Sequence, residues 1–328
     1  MTKVIRMHAH GGPDVLSWED VPTPVPGPGE AVIRHAAVGL NFIDIYFRSG
    51  LYKAPSLPTV LGMEGAGTVI EIGAGVTDIQ VGDRVAYATG PLGAYATERT
   101  IAADRLVKLP DSISCQTAAA MMLQGLTAQY LLRRTYPVKR GDTILVYAAA
   151  GGVGLILCQW AAYLGASVIG VVSTEEKAAL ARAHGASHVI VSSNDHPADI
   201  AGEVRRITHG AMVPVVYDSV GKDTFDASLD CLAPLGLMVS YGNASGPVPP
   251  FSLTTLSAKG SLFVTRPSLA TYTAKRADLL AMAQDLFDVV STGHVHIEIN
   301  QTYPLQQAAE AQRALEERRT TGSTILIP

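Results

Sequence analysis

A glycine-containing turn between a short apolar run and a helix-length segment is the stretch of this chain best suited to hold a ligand. Residues 143–147 read Thr-Ile-Leu-Val-Tyr, residues 148–154 read Ala-Ala-Ala-Gly-Gly-Val-Gly, and residues 155–164 continue as an apolar, helix-like segment. Glycines allow a sharp turn, close approach of the backbone to a pyrophosphate, and tight packing of helix on strand. Phosphates then lie at the helix N-terminus, where N–H groups and the helix dipole favour negative charge. This order predicts a βαβ unit that binds a dinucleotide.

The glycine pattern departs from G-x-G-x-x-G at its first position, which Ala149 occupies, while Gly151 and Gly154 occupy the second and third. Glycine-rich turns also join strands to helices in proteins that bind nothing there. The strand before this turn and the helix after it favour the binding interpretation. The predicted cofactor contacts within the turn are Ala150, Gly151, Gly152, Val153 and Gly154.

The same region is long and uncharged, which is also typical of a membrane span. No charged residue lies between Asp142 and Glu175. Glycines and Gln159 interrupt the run, however, and a parallel strand buried on both faces also reads as continuously apolar. We therefore expect a buried parallel strand, helix and strand, and no membrane segment.

The end of the second predicted strand carries hydroxyls and a cation. Ser173 and Thr174 stand where NAD-specific sites have an acid for the ribose 2′-hydroxyl, and Lys177 follows one turn into the helix. Hydroxyls and an ammonium group suit a 2′-phosphate, which an acid would repel. Glu175 and Glu176 argue against this, although acids in the first turn of a helix are favoured by its dipole. The pattern predicts a preference for NADPH.

Composition limits the class of protein. The chain has 328 residues, enough for two domains and a large core, and a formal net charge of −4 that argues against an electrostatic nucleic-acid binder. Its first residues contain no signal-peptide apolar region, so we expect a cytoplasmic protein. The three cysteines, Cys115, Cys158 and Cys231, are far apart and have no metal-site spacing, which predicts small core residues.

Two sequence patterns occur in different parts of the chain and predict two kinds of domain. Residues 1–110 hold short β-type runs with Gly and Pro turns and a short helix at 41–48 ending at Gly50, which predicts an irregular β-barrel domain. Helices are predicted next, near 116–122 and 126–134. Strand–helix alternation from residue 143 to 241 predicts a doubly wound parallel sheet. Helices at 274–291 and 305–318 and a strand at 323–327 follow.

Several short segments together resemble the medium-chain dehydrogenase/reductase superfamily and, within it, the zinc-free quinone oxidoreductases related to zeta-crystallin. The resemblance covers essentially the whole chain, and its marks are residues 39–44, 48–52, 62–67, 82–85, 148–154, 217–221, 264–267 and 318–323. It implies an α/β fold with a GroES-like β-barrel catalytic domain at residues 1–124 and 267–328 and a Rossmann domain at residues 125–266. The substrate would lie in the interdomain cleft, above the nicotinamide.

The residues at the position of the catalytic zinc in related dehydrogenases predict that this chain binds no metal. Zinc-dependent relatives have a cysteine where Asn41 stands and a histidine where Met63 stands, and neither replacement is a usual zinc ligand. Glu64 would remain alone and is expected to be a hydrogen-bonded residue of the fold. His294 and His296 are predicted to share a strand face, but two surface histidines lack a third ligand.

The resemblance also implies roles for individual residues. Asn41, Tyr46 and Tyr52 would line the substrate side, with Thr127 near the nicotinamide, and Gln124 and Tyr95 could also reach the cleft. An isolated tyrosine at a domain edge is also common without any catalytic role. The further cofactor contacts implied are Asn41, Thr127, Ser192 (in place of a tyrosine), Ser219, Gly242, Asn243, Val264, Arg266 and Arg318.

Three functions are compatible with these features. The first is an NADPH-dependent quinone reductase, with a small-molecule quinone as its substrate. The second is an enoyl or alkenal double-bond reductase, and the third is a non-catalytic NADPH-binding protein of the crystallin or RNA-associated kind, which the acidic balance disfavours. The resemblance implies a homodimer paired through the cofactor domains, and residues 261–265 form a β-type run suited to edge pairing.

Overall fold

The computed structural model describes residues 1–193 and 195–328, and the chain divides into two compact units. The first unit comprises Met1–Leu126, Tyr272–Ser291 and Ile297–Pro328. The second comprises Thr127–Thr271 and Thr292–His296. Each unit has its own sheet structure and its own apolar core.

The strands are, in chain order, β1 (Thr2–Met7), β2 (Leu16–Val21), β3 (Glu30–Leu40), β4 (Thr59–Val60), β5 (Glu64–Ile72), β6 (Arg84–Tyr87), β7 (Glu98–Ala102), β8 (Val107–Lys108), β9 (Thr143–Tyr147), β10 (Ser167–Val172), β11 (His188–Val191), β12 (Val213–Asp218), β13 (Leu232–Ser240), β14 (Phe263–Thr265), β15 (Ile299–Pro304) and β16 (Ser323–Ile327). The α-helices are α1 (Phe42–Ser49), α2 (Cys115–Ala119), α3 (Met122–Tyr130), α4 (Gly152–Tyr163), α5 (Glu175–Ala183), α6 (Ile200–Ile207), α7 (Phe225–Asp230), α8 (Thr254–Ala258), α9 (Leu269–Tyr272), α10 (Arg276–Ser291) and α11 (Ala308–Glu316).

The first unit is built mainly from antiparallel strands, with one parallel pair, β15 and β16. β1 pairs with β2 and β4, and a larger sheet has the order β15-β16-β3-β5-β6-β8, with β7 also paired to β3. The long strand β3 lies between β16 and β5 in this sheet, and almost all of its apolar residues are buried. The proline-rich segment at 22–28 contains no helix or strand, as predicted. These pairings confirm the expectation of short strands joined by Gly and Pro turns.

The second unit contains one parallel sheet with the order β11-β10-β9-β12-β13-β14. The core strand β9 is buried along almost its whole length, which explains its uninterrupted apolar sequence. The strand order reverses beside β9, since β10 lies on one side of it and β12 on the other. The carboxyl ends of all these strands meet at one edge, where ligands of doubly wound sheets bind. The predicted doubly wound sheet is confirmed.

Two local predictions differ from the structure. The helix predicted at 126–134 begins earlier, as α3, and continues after Tyr130 as a π-helical turn at Leu131–Thr135, where the buried Tyr217 hydroxyl donates to the Leu131 carbonyl oxygen at 3.1 Å. The prediction that His294 and His296 share a strand face is wrong. The Gln159 side chain hydrogen-bonds both the N–H and the C=O of His296, at 2.8 and 3.0 Å, in place of a strand partner, and His294 stacks on Tyr163.

No helix within the described part of the chain is both long enough and apolar enough to cross a membrane. The uncharged run that suggested a span is divided between β9, α4 and β10. Each of these elements buries its apolar residues inside the second unit.

Gly67→Ala is expected to lower the free energy of unfolding by about 3 kcal/mol, because an added Cβ would overlap the backbone oxygen of Arg34 on the paired strand β3. Gly12→Ala is the matched control, since nothing lies within 4 Å of a Cβ at that position. Urea denaturation followed by circular dichroism measures both. Equal midpoints for the two variants would contradict the predicted close approach of β3 and β5.

Candidate active site

The glycine turn of the second unit leads directly from β9 into α4. Ala148 has a φ of 51°, so the chain turns through a left-handed residue before the helix begins. A Cβ on Gly154 would overlap the backbone oxygen of Ala148, which explains the glycine at this position. The N-cap residue Gly151 offers no side-chain acceptor, so no side chain caps the first N–H groups of α4. The turn can therefore present backbone N–H groups to an anion.

The alanine at the first glycine position of the motif is accommodated by a glycine elsewhere. Ala149 is fully buried, and its methyl group faces Gly170 on the neighbouring strand β10. A Cβ on Gly170 would lie 2.8 Å from the Ala149 Cβ, which is closer than two methyl groups approach. The alanine methyl group thus fits at this position of the motif because the facing residue on β10 has no side chain.

The end of β10 collects the residues predicted to bind a 2′-phosphate. The Lys177 ammonium donates to the Ser173 hydroxyl at 3.4 Å, and the Thr174 hydroxyl caps α5 by accepting the Lys177 N–H at 3.3 Å. Glu175 and Glu176 are exposed in the first turn of α5. Ser173 and Lys177 therefore form a polar, cationic pair, and the exposed Glu176 carboxylate accepts a hydrogen bond from the neighbouring Thr174 hydroxyl.

Ser192 lies beside this cluster. Its N–H donates to the Val172 carbonyl oxygen at 2.8 Å, and its hydroxyl accepts from the Ala198 N–H at 3.1 Å. The hydroxyl thus holds the loop before α6. Arg318 belongs to the first unit, where it follows α11 with a φ of 58°, and its contact with a cofactor phosphate stays a prediction.

Arg266 hydrogen-bonds the backbone at the carboxyl end of β13, on the opposite side of the parallel sheet from β10. Its guanidinium donates to the carbonyl oxygens of Ser240 at 3.0 Å and Gly242 at 2.8 Å, and it also pairs with the side chain of Asn243. A Cβ on Gly242 would overlap the backbone of Ser219, so the ends of β12 and β13 approach closely. Val264 lies in β14, paired with Met238 of β13. The sheet therefore brings these five predicted contacts, Ser219, Gly242, Asn243, Val264 and Arg266, to one edge.

A buried acid that sequence reasoning did not assign positions the loop after β12. The Asp218 carboxylate accepts hydrogen bonds from the N–H groups of Val220 and Gly221 and from the hydroxyls of Thr224 and Ser228. Burial raises its pKa, while these four donors act in the opposite direction. The sequence signal was an acid that ends an apolar strand just before Ser219.

In the first unit, Asn41 begins helix α1 and carries several hydrogen bonds. Its backbone N–H donates to the Asp44 carboxylate at 2.9 Å, which satisfies the helix start, and Gly50 ends the helix with a φ of 86°. Its side-chain Nδ2 donates to Glu64 Oε2 at 2.7 Å, and its Oδ1 accepts from Gln124 Nε2 at 3.3 Å. The Asn41 amide is thus held from both sides.

Tyr46 and Tyr52 lie together near the C-terminal end of α1. Their ring centroids are 5.2 Å apart in an edge arrangement, and the Tyr52 N–H donates to the Tyr46 carbonyl oxygen at 2.9 Å. Phe47 packs edge-on against Tyr52. The structure therefore brings the two predicted tyrosines together. Thr127 lies on α3 and is assigned to the second unit.

The expectation that Tyr95 could reach a cleft is wrong. Its side chain is fully buried, and its hydroxyl donates to Asp44 Oδ2 at 2.9 Å. Gln124 is also buried, and it faces Asn41 as described above. Tyr95 therefore supports the start of α1 from inside the first unit.

The buried ionisable groups around Asn41 are strongly perturbed. Burial raises the pKa of Asp44 to about 7 and that of Glu64 to about 8, while hydrogen bonds from their neighbours act in the opposite direction. Burial lowers the pKa of His35 to about 4, and that ring contacts the Ala96 carbonyl oxygen and the Tyr87 hydroxyl. In the described part of the chain, no group of three His, Cys, Asp or Glu residues could hold a metal ion. Glu64, as predicted, is a hydrogen-bonded residue of the fold.

Asp44→Asn is expected to flatten the dependence of stability on pH between about 4 and 7. The folded protein holds the Asp44 proton with a pKa of about 7, against 3.8 for the ordinary group, so this contribution to stability is fully present below pH 3.8 and is lost as pH rises through 7. The asparagine oxygen can keep both bonds accepted by Oδ2, and Oδ1 has no partner among the described residues. Urea denaturation at pH 4, 5.5 and 7 measures the slope, and parallel curves for wild type and variant would contradict it.

Two family models match successive parts of the chain. The model of the alcohol dehydrogenase GroES-like domain matches residues 27–111, and that of the zinc-binding dehydrogenase family matches residues 152–281. A quinone oxidoreductase of Pseudomonas aeruginosa is 56% identical over 100% of both chains, and a 2-haloacrylate reductase of a Burkholderia species is 46% identical, covering 100% of this chain and 99% of its own. The structure of Escherichia coli quinone oxidoreductase complexed with NADPH has a TM-score of 0.96 and 48% identity, covering 99% of this chain and 100% of that one. The chain therefore belongs to the medium-chain dehydrogenase/reductase superfamily and, within it, to the zinc-free quinone oxidoreductases.

Proposed function

We propose that this protein reduces a quinone with NADPH by direct hydride transfer, without a metal ion. The observation that carries the proposal is the Lys177–Ser173 contact at the end of β10, in the same unit as the glycine turn before α4. A turn of this kind suits a pyrophosphate, and a cation with hydroxyls suits a 2′-phosphate. The membership of the chain in the quinone oxidoreductases supplies the acceptor class.

The residues present fit the proposed cofactor. Gly154 leaves space that a Cβ would fill, the start of α4 carries no acid in its first turn, and Lys177 supplies positive charge beside two hydroxyls. We infer that residues 150–154 hold the pyrophosphate, and that Ser173, Thr174 and Lys177 hold the 2′-phosphate together with Ser192 and Arg318. Ser219, Gly242, Asn243, Val264 and Arg266 would hold the nicotinamide half, together with Asn41 and Thr127.

Bound NADPH would supply the hydride, and the chain's own groups must then bind and polarise the acceptor. We infer that Asn41, Tyr46 and Tyr52 do so, since amide N–H and phenol O–H groups stabilise the negative charge that develops on a quinone oxygen. Tyr46 is nearly buried and contacts the ring of Tyr52, so ring packing restricts both phenols. Donors held in this way lose little freedom when the acceptor binds.

Double-bond reduction is the second candidate, and the 46% identical 2-haloacrylate reductase favours it. NADPH oxidation should be followed with purified protein and, in parallel, 1,4-benzoquinone, 9,10-phenanthrenequinone, 2-chloroacrylate and a 2-alkenal. Turnover with the quinones that persists in the presence of a chelator would support the proposal. Turnover only with the haloacrylate or the alkenal would indicate that the protein is a double-bond reductase. Cofactor binding without any turnover would favour a binding protein.

We further infer a homodimer that pairs through β14. This strand is the edge of the parallel sheet, and the Phe263 side chain on it is 59% exposed. An exposed edge strand with an apolar side chain is suited to pairing with a second copy of itself. Sedimentation of the wild type and of Phe263→Lys tests this inference, and equal masses would contradict it.

Lys177→Glu is expected to raise KM for NADPH by about 100-fold and to change KM for NADH by less than about threefold, because the new carboxylate repels only the 2′-phosphate. Lys139→Glu makes the same charge change at an exposed lysine of the same unit and serves as the control. Steady-state kinetics with each cofactor measure the effect. Equal rises for NADPH and NADH would remove Lys177 from the 2′-phosphate site.

Tyr52→Phe is expected to lower kcat with quinones by about tenfold while the Kd of NADPH stays the same, because a donor to the acceptor oxygen is lost. Tyr163→Phe, on an exposed tyrosine of the second unit, is the control. Turnover with three quinones and fluorescence titration of NADPH give the two quantities. Unchanged turnover with all three quinones would exclude a catalytic role for the Tyr52 hydroxyl.

A further inference from the structure

Glu64 is completely buried, and each of its two carboxyl oxygens accepts from a different N–H group. Oε1 accepts from the Leu123 backbone N–H at 2.7 Å, and Oε2 accepts from Asn41 Nδ2 at 2.7 Å. Gly39 leaves room for this carboxyl, since a Cβ there would overlap Glu64 Oε2 and the Ala119 carbonyl oxygen. The carboxyl is therefore fixed in place by a backbone donor that cannot change its direction.

The direction of each hydrogen bond continues from Glu64 outward. When Glu64 is ionised, both of its oxygens only accept, so the Asn41 amide turns its nitrogen toward Glu64 and its oxygen toward Gln124. Gln124 donates to Asn41 with its nitrogen, and its own oxygen accepts from the Ser323 hydroxyl at 2.7 Å. With Glu64 ionised, this orientation of the Asn41 amide satisfies Glu64, Asn41 and Gln124 together, and the Ser323 hydroxyl lies within reach of both Gln124 Oε1 and the Ala120 carbonyl oxygen, at 2.7 and 2.8 Å.

We propose that Glu64 is a positioning residue that orients the Asn41 amide so that its second N–H, and not its oxygen, is directed to the quinone oxygen. A primary amide has two N–H donors, and one of them is used on Glu64. The inference rests on the proposed quinone reduction and deepens it, because it names the group that decides whether residue 41 donates or accepts. The hydrogen bond that the Asn41 oxygen accepts from Gln124 polarises the amide and strengthens its remaining N–H donor.

Glu64→Gln tests the proposal because glutamine has nearly the same shape but only one oxygen. That oxygen can accept from Leu123, and the glutamine NH₂ then faces the Asn41 nitrogen, so the Asn41 amide must turn over to present its oxygen. At pH 9, where Glu64 with its pKa of about 8 is ionised, we expect kcat with a quinone to fall by about 100-fold, as for the loss of one oriented donor, while the Kd of NADPH changes less than about twofold.

Asp44→Asn is the matched control. Asp44 is also a buried acid of the first unit, but it hydrogen-bonds the backbone of Asn41 and not its side-chain amide, and an asparagine oxygen can keep its bonds from the Asn41 N–H and the Tyr95 hydroxyl. Its kcat should stay within about twofold of the wild type. An equal loss in both variants would mean that any change to a buried acid here reduces turnover, and it would overturn the positioning role.

A double variant separates positioning from folding. In Asn41→Asp with Glu64→Gln, the glutamine NH₂ can donate to the new aspartate, so the donors and acceptors match again, but residue 41 has no N–H to present. Stability in urea should recover relative to Glu64→Gln, while kcat should remain about 100-fold below the wild type. Recovery of kcat together with stability would overturn the inference.

Side-chain amide NMR provides a readout without turnover. The Asn41 δ-NH₂ proton bonded to Glu64 should resonate downfield of ordinary side-chain amides, and the shift should be lost in Glu64→Gln and kept in Asp44→Asn. An unchanged Asn41 signal in Glu64→Gln would overturn the orientation. If the wild-type protein oxidises NADPH with none of the acceptors, the proposed function is overturned, and the catalytic role of Glu64 with it. If the wild-type protein is active and Glu64→Gln is equally active, only the positioning role is overturned.

Discussion

A buried carboxyl needs hydrogen-bond donors, and much of the first unit around Asn41 is arranged to meet that need for Glu64 and Asp44. Transfer of an ionisable group from water to the interior costs several kcal/mol unless it is neutralised or hydrogen-bonded. Glu64 receives N–H groups from α1 and α3, and Asp44 receives the first N–H of α1 and the Tyr95 hydroxyl. These bonds join the start of α1 to strand β5 and to helix α3. The amide of Asn41 is held where they meet.

The second unit depends on a different constraint, which is the close approach of backbones at the carboxyl edge of a parallel sheet. Glycines occupy the positions where a Cβ would overlap a neighbouring backbone, at Gly154 beside Ala148 and at Gly242 beside Ser219. Asp218 and Arg266 then hold the loops between these strand ends by bonding backbone N–H and C=O groups, respectively. Loops held by so many bonds can receive a ligand without being rearranged.

Local sequence signals were sufficient to predict features that depend on neighbouring residues, such as strand burial and helix ends. The strands β9, β10 and β12 read as apolar runs because both faces are buried, and α1 was delimited by Asn41 and Gly50, which are the residues that cap it. Lys177 was chosen from its charge and its distance along the chain from the strand end, and the structure places its ammonium on Ser173. The positions 294–296 were misread because alternation of residues predicts a strand, whereas the side chain of Gln159, distant in sequence, satisfies that backbone.

The sequence by itself determined four features, because each depends only on residue type and short spacing. They are the division into a β-rich part and a strand–helix part, the glycine turn, the cluster of hydroxyls and a lysine, and the replacement of the usual zinc ligands by Asn41 and Met63. Tertiary structure alone decided which buried groups meet. Glu64 and Asn41 are far apart in the chain, as are Ala149 and Gly170, and nothing local in either segment encodes the partner. The direction of the Asn41 amide is furthest from anything that the local sequence encodes, because it depends on donors and acceptors contributed by four separate segments of the chain.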